Sequence, residues 1–241
     1  MAKKPSQQER SQRAAAALED QKRAERRRTI RSITLVVFAL VVVVGIAFGV
    51  QSLRGGGEVT ASPAGQSEYG VTIGEEDAPH QVVIYEDFLC PFCGQLEAGT
   101  GEELQQLADD GSVLVEYRPF NLLSRIGDYS ERATSAFAVV LEESGPETAK
   151  EFHDLLYANQ PSEEGPFPDN QALLDLAVEA GAEESAVSDG ILGESMVDWV
   201  EAATTAAQDA GVQGTPTVLL DGEQISGDPE QILDQINETV G

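Results

Sequence analysis

Cys90 and Cys93 are the only cysteines among 241 residues, with two residues between them in "IYEDFLCPFCGQLE" directly after an apolar run. Pro91 between them suits the first turn of a helix, where no amide hydrogen is needed, so the pair marks a helix start. A cysteine at that place faces unpaired backbone amides and the positive end of the helix dipole. Both favour thiolate over thiol and bring the pKa from about 8.5 into a range of about 3.5–7.5. Cys90 is therefore the candidate nucleophile. Cys93, one turn along the same face, is close enough to bridge to it and is shielded by the helix. Exchange with a substrate disulfide or thiol then passes through a mixed disulfide at Cys90 that Cys93 resolves. A zinc centre built on the pair would need two more ligands, yet the only histidines are His80 and His153 and there is no second C-x-x-C. An inert bridge over so short a loop would remove little chain entropy. The spacing favours thiol-disulfide exchange and implies neither organic cofactor nor metal.

The elements around the pair must hold it in place. "GVTIG" reads as a short first strand. In "QVVIYEDF" the consecutive apolar residues Val82 to Tyr85 suit a strand buried on both faces of a sheet. The helix opening at the cysteines carries Leu96, Leu104 and Leu107, while Gly99 and Gly101 predict a kink or break within it. "SVLVEYRPF" is the next strand, so strand, helix and strand form a right-handed crossover unit. From about 128 to 210 the chain turns helical. Ala133, Ala136, Phe137, Val140 and Leu141 form one stripe, Pro146 opens a second helix, Leu173, Leu176 and Ala180 mark a third, and Met196 to Ala207 a fourth. The chain then returns to strand in "TPTVLLDGEQI", with Asp221-Gly222 as the hairpin turn. Asp228-Pro229-Glu230 caps and opens a final helix.

Ten of the fifteen Lys and Arg lie in the first 32 residues, which carry +6, and the remainder carries −33. So acidic a body argues against nucleic acid or an anionic membrane surface as its partner. Between the two regions stands "ITLVVFALVVVVGIAFGV", Ile33 to Val50, uncharged and 18 residues long, close to the ~30 Å hydrocarbon core. Its long basic n-region and the lack of a small-residue cleavage site favour an uncleaved anchor over a signal peptide. The basic cluster before it keeps the N-terminus cytoplasmic. The expected organisation is a basic cytoplasmic tail over 1–29, a transmembrane anchor over 30–53, a flexible Gly, Ser and Pro linker over 54–68, and a folded domain over 69–241. That domain would lie outside the membrane, where disulfides persist.

The order of elements, "DFLCPFC" at a helix start, the helical insertion and then "GVQGTPTVLLDG" together resemble the DsbA-like thioredoxin-fold disulfide oxidoreductases, in particular their membrane-tethered subgroup. The resemblance covers roughly residues 69–241. It implies an α/β fold with a central mixed sheet flanked by helices and a helical domain inserted at about 128–210. It implies a cis Pro216 lying against the cysteines, with Thr215 offering its backbone to a substrate peptide. Asp87 matches an acidic position of this subgroup and could accept or relay the proton of Cys93, with Glu86 competing for that inward-facing role. The resemblance also implies exported proteins as substrates and a membrane reoxidant of the DsbB or VKOR type. One departure is Phe92, where strongly oxidising relatives carry a histidine that helps hold the thiolate. That change, and the negative charge of Glu86, Asp87 and Glu97, predict a less oxidising disulfide. A reductase or isomerase is the nearest alternative, and a tethered binding module without turnover the more distant one.

Overall fold

The computed structural model describes residues 59–241. The basic tail, the apolar run and the first part of the linker lie outside the described residues. Among those described, no helix is long and apolar enough to cross a membrane.

The strands are β1 Val71–Ile73, β2 His80–Glu86, β3 Val113–Pro119, β4 Thr217–Leu220 and β5 Glu223–Ile225. They form one sheet in the order β1-β3-β2-β4-β5. β2 and β3 pair in parallel, as a strand-helix-strand unit requires, and the other neighbours are antiparallel. β2 therefore sits in the middle of the sheet, and the helix that follows it, α1 Pro91–Asp109, starts at the cysteines. The expected insertion is present as five helices between β3 and β4: α2 Tyr129–Ser144, α3 Pro146–Ala158, α4 Asn170–Glu179, α5 Glu184–Leu192 and α6 Val197–Asp209. α7 Pro229–Val240 closes the chain.

Alternation along the central strands sorts their side chains between two cores. Val82, Ile84, Val113, Val115, Tyr117, Val218 and Leu220 enter the larger one with α1, α2, α3 and α7. Val83, Tyr85, Leu114 and Leu219 enter a second one on the opposite face, where Val59, Ala64, Ala207 and Val212 cover them. This second core corrects the expected linker. From Val59 onward the segment is packed onto the sheet, because the exposed apolar face needs a cover and the buried Arg118 needs acceptors. Arg118 pairs with Glu116 at 2.6 Å, and its Nη2 also donates to the carbonyls of Ser62 and Pro63. The amide of Gly65 donates to Glu116 at 2.9 Å, and that of Thr60 to the Ala210 carbonyl at 2.8 Å.

Two local expectations also change. α1 runs unbroken for 19 residues through Gly99 and Gly101. Gly99 serves close approach, since a Cβ there would lie 2.6 Å from the Pro229 Cβ at the head of α7. α5 was not foreseen: it buries only Val187 and Ile191, too sparse a stripe to read, and contains a glycine at position 190 that lets it approach Val139 of α2. The hairpin is as expected, with positive φ at Asp221 (50°) and Gly222 (86°) and Leu220 paired to Glu223. Asp228 caps α7, accepting from the Gln231 amide in a reciprocal box with the Gln231 side chain.

The two glycines of α1 give predictions of opposite sign. Gly99→Ala should destabilise the fold by about 1–3 kcal/mol by forcing α1 away from Pro229. Gly101→Ala, whose Cβ would meet only the Glu97 carboxylate at 3.5 Å, should stabilise it by up to about 1 kcal/mol through helix propensity. Urea unfolding midpoints of the two variants check both.

Candidate active site

The turn from β2 into α1 is fixed by Asp87. Its Oδ1 accepts from the amide of Leu89 at 2.8 Å and the Ser130 hydroxyl at 2.6 Å. Its Oδ2 accepts from the amides of Leu122 and Leu123 at 2.8 and 2.9 Å. Four donors thus draw the strand end, the loop after β3 and the start of α2 onto one buried carboxylate. Cys90 follows as the N-cap of α1, in extended conformation, with Pro91 at the first helical position. The helical insertion reaches back to this turn through Gln160, whose amide donates to the carbonyls of Phe88 at 3.0 Å and Cys90 at 2.9 Å.

Both cysteines are free thiols, and their environments differ sharply. The Cys90 thiol donates to the Thr215 carbonyl at 3.4 Å. Its pKa falls to about 6: the Cys93 thiol is the largest cause, working against burial, with further help from Thr215 and the amides of Cys93 and Phe92. The Thr215 hydroxyl is buried and has no partner while Cys90 is protonated, so it is available to the thiolate. Cys93 is fully buried, and that burial, with the negative charge of Cys90 and Glu86, pushes its pKa far up. At neutral pH the pair is one thiolate and one thiol. The Thr215-Pro216 bond is cis, and Pro216 stands between Thr215, the hydrogen-bond partner of Cys90, and the start of β4. Phe92 is two-thirds exposed at the surface next to the nucleophile.

Beneath the pair lies a buried polar group that the sequence reading only touched. The Glu86 Oε1 bonds the His153 Nε2 at 2.6 Å, and the His153 Nδ1 bonds Asp154 at 2.8 Å. Lys150 donates to both oxygens of Asp154 at 2.6 and 2.7 Å. Burial alone would lower the pKa of His153, but Glu86 and Asp154 outweigh it and raise it to about 10. Glu97 faces this group, and burial raises its carboxyl to about 8. The expected acidic repulsion of the Cys90 thiolate is therefore largely absent. Glu97 is neutral at pH 7, and Glu86 is compensated by the imidazolium.

Of the residues marked in the sequence, Cys90, Cys93, Thr215 and Pro216 come together. Asp87 lies next to them but with its side chain turned to backbone amides and Ser130, and it is Glu86 whose charge acts on Cys93. Gln160 and His153 were missed as site residues. Gln160 sits in a Pro and Gly rich stretch with no pattern, and His153 lies within an apolar helix stripe that reads as core.

A family model described as thioredoxin matches residues 66–238. Among solved structures, the reduced disulfide bond oxidoreductase DsbG of Mycobacterium tuberculosis is 34% identical with a TM-score of 0.62, covering 71% of this chain and 88% of its own. Oxidised DsbA of the same organism is 33% identical with a TM-score of 0.60, covering 71% and 93%. Among curated proteins, the serine/threonine-protein kinase PknE of M. tuberculosis is 30% identical over 165 residues, 65% of this chain and only 29% of the kinase. Disulfide bond formation protein D of Bacillus subtilis is 26% identical over 170 residues, 70% of this chain and 74% of that protein. An N-capping cysteine with its thiolate stabilised, a buried partner one turn on and a cis-proline beside them are thus carried on a scaffold shared with these enzymes, and the chain belongs to the DsbA-like thioredoxin-fold disulfide oxidoreductases.

Proposed function

We propose that the protein donates a Cys90–Cys93 disulfide to newly exported proteins outside the cell membrane, to which the Ile33–Val50 run anchors it. The observation that carries this reading is the opposite protonation of the two cysteines. A substrate thiolate attacks the Cys90 Sγ of the disulfide, and the S–S electron pair leaves on Cys93. Cys93 is protonated at once, since its burial makes a thiolate there costly. A second substrate thiol then attacks the substrate sulfur of the mixed disulfide, releasing an oxidised substrate and Cys90 as a stable thiolate. The two electrons left on the dithiol go to a membrane reoxidant of the DsbB or VKOR type. The Thr215 backbone pairs with the substrate strand, and Pro216, having no amide hydrogen, leaves the approach to Cys90 open. Asp87 acts as an anchor of the turn rather than as the proton relay, because four donors already hold its oxygens.

A value of about 6 at Cys90 lies between the ≈ 3.5 of a strongly oxidising DsbA and the ≈ 7 of thioredoxin, which also favours a second reading as reductase or isomerase. The reduction potential of the full chain in glutathione buffers separates them. A value of about −120 to −180 mV supports donation, and one near about −270 mV sinks it in favour of a reductant.

Three outcomes are expected. Cys90→Ala abolishes oxidation of a reduced test substrate, whereas Cys93→Ala accumulates substrate-linked mixed disulfides on non-reducing gels. Phe92→His lowers the Cys90 pKa and raises the potential by on the order of 30 mV, worth about 1.4 kcal/mol, read from the same glutathione titration. The third concerns pH. Cys90 titrates near 9 when unfolded and at about 6 when folded, so between these values folding of the reduced protein releases a proton and its stability rises with pH. The gain is complete above pH 9 and lost as pH falls through 6. Cys93 stays protonated when folded but titrates near 9 when unfolded, so it opposes the gain only as pH approaches 9, and the oxidised protein lacks both effects. Urea unfolding at pH 5.5, 7 and 8.5 should show the reduced form gaining on the oxidised form at each step.

A further inference from the structure

Three elements of different origin meet below Cys93: the end of β2 brings Glu86, the second turn of α1 brings Glu97, and α3 brings His153. One ligand atom from each lies within 4.8 Å of the other two. Glu86 Oε2 and Glu97 Oε1 are buried and unpartnered, and so are the hydroxyls of Tyr117 and Tyr157, whose rings pack on His153 with centroids 4.7 and 5.1 Å away. Glu86 itself is fully buried. Leaving buried polar atoms without partners costs about 1–3 kcal/mol each, so a group of them in one place asks for an occupant.

We propose that Glu86, Glu97 and His153 form a binding site for one zinc ion. Two carboxylate oxygens and an imidazole nitrogen are a three-ligand set that zinc accepts with a fourth position left for water. The histidine is oriented for it. Its Nδ1 is held by Asp154 at 2.8 Å, which leaves Nε2 to ligate, the carboxylate–histidine–metal arrangement that outer partners impose. Asp154 is fixed in turn by Lys150. The charges balance once the ion has displaced the protons of Glu97 and His153: Glu86, Glu97 and Asp154 against Lys150 then leave two negative charges, which one divalent ion cancels. The ion takes the place of the proton between His153 Nε2 and Glu86 Oε1. Zinc has no redox chemistry of its own, unlike copper or iron, and so suits a place beside a thiol pair. A cleft of about 440 Å³ lined by Gly94, Glu97, Lys150, Asp154 and Tyr157 gives a way in.

The test uses the full-length chain with Cys90→Ala and Cys93→Ala, so that no thiol can ligate, dialysed to equilibrium against zinc alone. The expected result is one zinc per chain at low micromolar free metal. Adding Glu97→Gln, at the mouth of the cleft, should weaken binding at least tenfold, and Asp154→Asn about tenfold through the orientation of His153. Urea midpoints of the metal-free proteins report whether each variant is folded. Cobalt in place of zinc should give an absorption spectrum of low coordination number. Failure to bind zinc at micromolar levels would mean that water alone fills the group, and binding unchanged by Glu97→Gln would place the ion elsewhere on the acidic surface. Either result overturns the proposal.

Discussion

Two sulfurs three residues apart have to differ in their affinity for a proton, and the rest of the structure is arranged around that requirement. Cys90 can be a thiolate because the Cys93 thiol, Thr215 and the amides at the helix start stabilise it, and Cys93 cannot because it lies in the core. Both conditions depend on α1 starting at the C-terminal end of the central strand β2, with only four residues between them. Asp87 makes so abrupt a reversal possible by taking up the Leu89 amide within the turn and tying it to the Leu122 and Leu123 amides of the loop after β3.

The inserted helices are more than an addition to the thioredoxin layer. Through Gln160 they hold the carbonyls of Phe88 and Cys90, and through His153 they compensate the charge of Glu86. Without that compensation an acid four residues before the nucleophile would work against its thiolate. The helical part therefore sets the electrostatics of a site whose reacting atoms all lie outside it.

Much of this was legible in the sequence, and for physical reasons. The Cys-x-x-Cys spacing, Pro91 at the helix start, the four-residue apolar run of β2 and the Asp221-Gly222 turn are local signals, each set by covalent geometry or by burial of a single element. What escaped depends on contacts between distant segments. Glu97 reads as one more negative charge near the thiolate, and only its burial makes it neutral. Gly99 reads as a helix breaker, and only Pro229, 130 positions later, shows it to be a point of contact. Glu86 ends β2 and Asp87 opens the turn after it, and their side chains go to different partners, Glu86 to His153 and Asp87 to backbone amides and Ser130. Which of the two met the amides and which the histidine could not be seen until β2 was placed in the sheet.

The packed segment before β1 moves the edge of the folding unit. The thioredoxin match starts at residue 66, but the second core starts at Val59. A chain cut to begin at 66 would take Val59 and Ala64 from over Val83, Tyr85, Leu114 and Leu219, leaving that face of the sheet partly uncovered, and would take the Ser62 and Pro63 carbonyls from a buried guanidinium. The site would keep every residue that touches sulfur, yet the protein would present an apolar sheet face to its neighbours and lose solubility before it lost chemistry.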